Sequence, residues 1–245
     1  MHASLALRQN DRKTEALYKK RSRGNPAPRH EKGVITIRTI VFVDFDGTIT
    51  MEDTLAGAMR RFVPKEEFDY YSRKLIAGEA TLSQVVRRAY DGAPTAIYPQ
   101  LLEYVRSVPM RPGFDRLLDV CDEAGIGVVV ISGGVRAFLD EKLKPYEGRL
   151  LGVHAAELDV SGPEMRLISE FDDGNELVKK TAVMALYDYD YAIGVGDSFT
   201  DRNMATAVDW IFARDVLARY LASIGKDYTP YEDFYAVAAS ISSSR

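Results

Sequence analysis

Two aspartates two residues apart, Asp44 and Asp46, follow the apolar run from Ile40 to Val43 and open the segment Asp44-Phe45-Asp46-Gly47-Thr48. Carboxylates held this close repel, and the pKa of one rises unless a cation intervenes. A hard divalent cation with oxygen ligands relieves the repulsion. Asp197 and Asp201, in Gly196-Asp197-Ser198-Phe199-Thr200-Asp201, supply further oxygens. Few protein ligands with positions left for water describe magnesium bound together with a phosphate, so Mg²⁺ is the expected cofactor. Another apolar run, Gly127 to Ile131, ends in Ser132-Gly133-Gly134. The small residues Gly47, Gly133 and Gly134 let backbone approach a ligand, and NH groups at helix starts favour anions. Taken singly, each aspartate and Ser132 reads as a helix cap or turn former. Their order along the chain, each behind a strand-like run, is what points to chemistry.

The elements that must position these residues are legible as periodicity. Ile40 to Val43, Gly127 to Ile131, Tyr191 to Val195 and Trp210 to Ala213 are short apolar runs suited to strands buried on both faces of a parallel sheet. Helical patterns over 113–124, 176–187 and 214–224 alternate with them. The alternation predicts a doubly wound, Rossmann-like α/β fold, whose ligand site lies beyond the carboxyl ends of the strands. Residues 51–110 hold no good strand and predict helices near 52–62, 66–77, 81–90 and 95–107. They form an inserted helical cap in a core made of 34–50 and 111–245. A short strand pair is expected within 151–170, around Ser161-Gly162-Pro163-Glu164.

Composition narrows the partners. The 245 residues carry a formal net charge of -4, which gives the chain no bias toward nucleic acid. Residues 1–33 are basic, with nine Lys/Arg against three Asp/Glu, and read as an N-terminal extension outside the fold. The single cysteine, Cys121, excludes an intrachain disulfide and fits a cytoplasmic location. No apolar stretch is long enough for a membrane span, and the N-terminus lacks a secretory apolar core.

The sequence resembles the haloacid dehalogenase superfamily of phosphatases. Asp44 to Thr48 matches its first motif, Ser132-Gly133-Gly134 the second and Gly196 to Asp201 the fourth. The third motif is a lysine near a helix start. Lys179 and Lys180 both qualify, and Lys179 is preferred from the helix that follows. The resemblance implies that Asp44 attacks phosphorus and that Asp46 protonates the leaving oxygen and then activates water. It implies that Mg²⁺ is held by Asp44, the Asp46 carbonyl and Asp197, with Asp201 behind them. Ser132, the Gly133 backbone and Lys179 would bind the phosphate. Dehalogenases lack an acid at the position of Asp46, and the ATP-driven pumps of the superfamily carry Thr there, so Asp46 favours phosphate ester hydrolysis. Loss of Asp44 or Asp46 would have favoured a non-catalytic regulatory protein that keeps the fold; both are present. Family members are often homodimers.

The cap's place after the first motif is similar to the phosphoserine phosphatase branch. Within it, the methionine-salvage phosphatases show further likeness over Asp44–Asp53, Val130–Gly134, His154-Ala155, Ile211–Asp215 and Pro230–Tyr235. That group often has a cysteine-rich segment ending Cys-Lys-Pro-Ser before its lysine. Here the segment is Asp172-Asp173-Gly174-Asn175-Glu176-Leu177-Val178-Lys179, with neither cysteine nor proline. The expected substrate is therefore a small phosphorylated metabolite, either the methionine-salvage enol phosphate or another ester such as phosphoserine. Glu52, Asp53 and Arg136 are candidate specificity residues. Glu52 and Asp53 equally suit a helix cap with acids in the first turn, and Arg136 a solvated helix start. His154 reads as structural, and the aromatic residues Phe62, Phe68, Tyr70, Tyr71 and Tyr90 as cap core.

Overall fold

The computed structural model describes residues 30–31, 34–35 and 38–244. The basic segment 1–33 lies outside the described residues except for His30–Glu31, which pairs antiparallel with Val34–Ile35. The rest is built on one seven-stranded sheet. Its strands are β1 (Thr39–Val43), β2 (Gly127–Val135), β3 (Gly152–Asp159), β4 (Arg166–Ile168), β5 (Tyr191–Gly196), β6 (Trp210–Ala213) and β7 (Thr229–Pro230). The order across the sheet is β4-β3-β2-β1-β5-β6-β7, and every pair is parallel except β3 with β4.

This order explains where a site can form. The chain leaves β1 toward β2 and β3 on one side and later toward β5 and β6 on the other, so the winding reverses at β1. A crevice opens beyond the carboxyl ends of the strands at such a point. The register sets Val43 opposite Val130 on one side and Val195 on the other, so Asp44, one residue on, and Ser132 and Asp197, two residues on, gather at the same end of the sheet.

The strands are apolar because both faces are covered. Ile40, Phe42, Val129 and Ile131 face one cluster. Their neighbours Val41, Val43, Val128 and Val130 face the other, with Phe114, Leu117, Leu118 and Cys121 of α5 (Phe114–Ala124) and Phe234 and Val237 of α10 (Phe234–Ser243). This is the period of two that a pleated strand requires.

Four helices lie between β1 and α5: α1 (Thr54–Phe62), α2 (Lys65–Ile76), α3 (Leu82–Tyr90) and α4 (Tyr98–Ser107). All lie within about three residues of their expected bounds. Asp53 caps α1 by accepting from Ala56 N, and a reciprocal Thr81–Gln84 capping box starts α3. Leu55, Ala58, Met59, Val85, Val86, Leu101 and Val105 join the cluster on the Phe42 face, so helices and sheet share a continuous apolar layer there. Pro64, Gly78 and the Gly92-Ala93-Pro94 turn separate the helices, as their backbone restrictions demand.

Two expectations are revised. The strand expected to end at Ile131 continues to Val135, with a register shift between Ile131 and Val135 that carries Ser132 and Gly133 within the strand. The helix expected over 176–187 is only α7 (Lys180–Met184). Leu177 and Val178 instead enter the apolar cluster in irregular backbone, which moves the helix start to Lys180. The remaining helices are α6 (Arg136–Leu143), α8 (Arg202–Ala207) and α9 (Asp215–Ser223). No helix among the described residues is long and apolar enough to cross a membrane.

Candidate active site

Asp44 is the first residue past β1, and its NH extends the ladder by donating to the Val195 carbonyl at 2.9 Å. Its carboxylate is buried. Oδ1 accepts from Lys180 Nζ, while Oδ2 is buried with no hydrogen-bond partner. An unpartnered buried carboxylate oxygen is costly and calls for a ligand. Burial, with Asp201 close by, holds the Asp44 carboxyl well above the usual carboxylate range.

Lys180 starts α7 and is 1% exposed. Its ammonium bridges Asp44 and the Asp201 Oδ1 atom, the latter at 2.5 Å. Burial alone would lower its pKa, but Asp201 and Asp44 outweigh this and raise it, so it stays charged. Lys179, the residue expected to bind phosphate, lies elsewhere. Its side chain is 34% exposed and pairs with Asp173 at 3.2 Å. The shorter helix explains the change: with Lys179 as the residue before the first turn, Lys180 takes the inward position.

Asp197 follows β5 and accepts from Thr48 Oγ1 at 2.9 Å. Burial and Asp201 push its pKa up to about 7. The Gly47 turn, at φ +79°, rests directly on this carboxylate: a Cβ there would lie 2.5 Å from Asp197 Oδ2. Asp201 is fully buried. Its Oδ2 accepts from the Asp197 and Ser198 NH groups at 3.0 Å each, and its Oδ1 from Lys180. Carboxylate oxygens of Asp44, Asp197 and Asp201 lie within 4.8 Å of one another.

These residues fit a divalent cation. The unpartnered Asp44 oxygen, the raised Asp44 and Asp197 pKa values and an all-oxygen donor set are what a hard ion satisfies. Asp201 is already saturated by NH and ammonium donors, which suits it to orient the ligands rather than bind first.

Asp46 is half-buried and its carboxylate points to a different set of partners. Oδ1 accepts from the Thr54 NH and hydroxyl at 2.8 and 2.5 Å, and Oδ2 from Ser132 Oγ at 3.0 Å. Loss of solvation raises its pKa despite these bonds. Ser132 Oγ in turn accepts from Gly134 N at 2.8 Å. A Cβ at Gly134 would come within 2.8 Å of Asp46 Oδ2, so only glycine leaves this carboxylate room. Gly133 lies beside Leu82 of α3, 3.3 Å from where a Cβ would stand.

The structure thus brings Asp44, Asp46, Ser132, Gly133, Asp197 and Asp201 to one end of the sheet. Among the expected specificity residues, Asp53 is used as the α1 cap. Glu52 is exposed, and its carbonyl accepts from Thr50 Oγ1 at 2.7 Å. Arg136 is turned away, bonding Asp140 at 2.7 Å and the Val153 carbonyl at 2.9 Å. His154 pairs with Tyr187 Oη at 2.6 Å and stacks edge-on with Phe171, as a structural residue does. Of the cap aromatics, Tyr90 is buried against Phe62 and Phe138, while Tyr70 is exposed.

The sequence offers Lys180 only as the alternative to Lys179, and gives no role to the hydroxyls of Thr48 and Thr54. Thr48 and Thr54 both follow the acidic pair, and an enclosed carboxylate's need for donors is the signal that could have found them.

A family model described as haloacid dehalogenase-like hydrolase matches residues 41–206. A 2-hydroxy-3-keto-5-methylthiopentenyl-1-phosphate phosphatase of Microcystis aeruginosa is 34% identical over 201 residues, covering 81% of this chain and 95% of its own. A Bacillus cereus protein of the same name is 30% identical over 215 residues, covering 82% and 94%. Among solved structures, a phosphoserine phosphatase with a phospho-aspartyl intermediate analogue superposes with TM-score 0.65 at 14% identity, over 84% of this chain and 99% of that one. A substrate-bound phosphoserine phosphatase gives TM-score 0.64 at 15% identity, over 82% and 97%. At these identities the structural likeness concerns the fold.

Proposed function

The chain belongs to the haloacid dehalogenase-like hydrolase family and is a phosphatase of that family; on that premise we propose that it hydrolyses a small phosphorylated metabolite through an aspartyl-phosphate on Asp44, and that the metabolite is 2-hydroxy-3-keto-5-methylthiopentenyl-1-phosphate. The observation that carries the mechanism is the asymmetry of Asp44. One oxygen is tied to Lys180 and the other is free of any donor, beside an acidic cluster suited to a cation. The substrate is drawn from the names of the relatives that match over nearly their whole length.

A carboxylate oxygen of Asp44 attacks phosphorus and displaces the ester oxygen. Asp46, whose raised pKa favours the protonated form, delivers its proton to that oxygen. The resulting Asp46 carboxylate takes a proton from the water that cleaves the acyl-phosphate, freeing Asp44. Ser132 Oγ and the Gly133 backbone hold the phosphoryl oxygens together with Lys180, which replaces Lys179 in this role. Mg²⁺, held by Asp44, Asp197 and the Asp46 carbonyl, would supply charge neutralisation and alignment of the phosphoryl group. The four helices of residues 51–110 act as a cap that excludes water and carries specificity. A cytoplasmic enzyme of small-molecule metabolism without nucleic-acid or membrane partners fits the composition, and a homodimer is carried over from the family resemblance alone.

The test is phosphate release from the methionine-salvage enol phosphate, phosphoserine, phosphocholine and sugar phosphates, with Mg²⁺ and with chelator. Preference for the enol phosphate, lost with chelator, is the expected result. Preference for phosphoserine would keep the mechanism and replace the substrate. No release from any ester would sink the reading.

A further inference from the structure

Two stretches of the chain stand outside the phosphatase chemistry: Ile211–Asp215 and Pro230–Tyr235. Both converge on a buried arginine behind the site. Arg111, at the end of the cap's return to the core, is 6% exposed. Among the described residues it forms no ion pair within 4.0 Å; its fork is filled by backbone carbonyls instead. Nε donates to the Thr48 carbonyl at 2.8 Å, Nη2 to the Gly47 carbonyl at 2.6 Å and Nη1 to the Glu232 carbonyl at 3.2 Å. The Glu232 carbonyl also accepts from Arg214 Nη1 at 3.2 Å. Tyr231, 3% exposed, donates to the Gly196 carbonyl at 3.5 Å, and Phe234 N donates to the Pro112 carbonyl at 2.9 Å.

What Arg111 grips is the turn that rests on Asp197. The Thr48 hydroxyl donates to Asp197 Oδ1, and Gly47 packs against Asp197 Oδ2. The backbone of Asp197 is held from the other side: its carbonyl accepts from Leu217 N at 2.9 Å. To deliver that NH the chain places Asp215 at φ +47°, the one described non-glycine residue with positive φ. Strain at such a position persists only where the surroundings over-determine it. We propose that Arg111, locked by the Tyr231-Glu232 turn, is a positioning residue for the cation site: it fixes the Gly47-Thr48 turn and thereby aims the Asp197 carboxylate. The proposal rests on Asp197 being a metal ligand. It accounts for the two stretches by one function, that of a strut between the chain's end and its metal-binding loops. A planar guanidinium suits this place because three carbonyls in fixed directions need a rigid fork, which lysine cannot supply.

The test is Mg²⁺ binding by calorimetry to the metal-free full chain, with Mg²⁺-dependent thermal shift as a second readout. The variants are Arg111→Lys, Arg111→Gln and Tyr231→Phe, each checked for folding by circular dichroism. Loss of such a supporting contact is expected to weaken Mg²⁺ binding about 10-fold in the two Arg111 variants. Tyr231→Phe should show a smaller loss, and excess Mg²⁺ should restore turnover of p-nitrophenyl phosphate. Folded Arg111 variants that bind Mg²⁺ as the wild type does would overturn the strut. So would lost turnover with Mg²⁺ binding unchanged. If neither Arg111 variant folds, Tyr231→Phe decides by the same criterion. A wild type that binds no Mg²⁺ would instead sink the metal assignment itself.

Discussion

The floor of the site and the helices above it are built on opposite terms. On the floor, Asp44, Lys180 and Asp201 are buried, bonded to one another and wedged by glycines that admit no side chain. Above it, α2 has no buried residue at all. Beside the apolar packing of Leu177 and Val178, the helical region meets the loop before Lys180 through polar groups: half-exposed Arg87 and buried Ser83 on Asp172 at 2.7 and 2.9 Å, and Thr81 on the Gly174 carbonyl at 2.7 Å. Removing one partner of a buried ion set leaves an uncompensated charge, whereas an exposed pair contributes little. The acidic floor is thus built where change is costly, and the helices above it where change is better tolerated.

That contrast can be pressed from its strongest consequence downward. Asp44→Asn should reduce turnover by on the order of 10⁴-fold or more while the protein stays folded, since Asp201 still pairs with Lys180. Steady-state phosphate release with a circular dichroism control checks it. Lys180→Met should cost about 10²–10³-fold in turnover. Lys179→Met, one residue away but paired on the surface, should stay within about twofold of wild type. Equal losses in the two would erase the distinction drawn between them.

The acidic floor also predicts how stability answers to pH. Asp197 titrates near 7 in the folded chain against about 3.8 when unfolded. Between these values the folded state holds a proton that the unfolded state has released. Its contribution therefore falls as pH rises, by about 1.4 kcal/mol per pH unit across that window. Mg²⁺ competes with that proton, so the metal-induced rise in Tm should be larger at pH 8 than at pH 6. A metal effect independent of pH would contradict a shared site. The smallest effect on turnover belongs to the clasp: Asp172→Asn should cost about 1–3 kcal/mol in stability, because Asp172 is mostly buried and accepts from Arg87 and Ser83. It should raise KM more than it lowers kcat, because it loosens the helices and leaves the floor intact.

The floor was also the more legible region, for physical reasons. A strand buried on both faces reads as an unbroken apolar run, so Asp44, Ser132 and Asp197 could be set at the ends of such runs, and their order along the chain supplied the rest. Lys180 could not be told from Lys179, because the register of a five-residue helix is set by the packing of Leu177 and Val178. The extension of β2 to Val135 depends on pairing with β3, which no local pattern encodes. Arg111 was illegible for a different reason: its partners are backbone carbonyls, which leave no signature in residue type. Arg136 looked available because its partners, Asp140 and the Val153 carbonyl, become apparent only once α6 lies against β3.

The central claim is that Asp44 becomes covalently phosphorylated. It is tested most directly by acid-quenching the enzyme during turnover of its preferred ester, reducing the acyl-phosphate with borohydride and mapping the modified peptide by mass spectrometry. Modification is expected at Asp44 alone, and is expected to be absent from Asp44→Asn. Modification at another carboxylate, or normal turnover with no residue labelled, would contradict it.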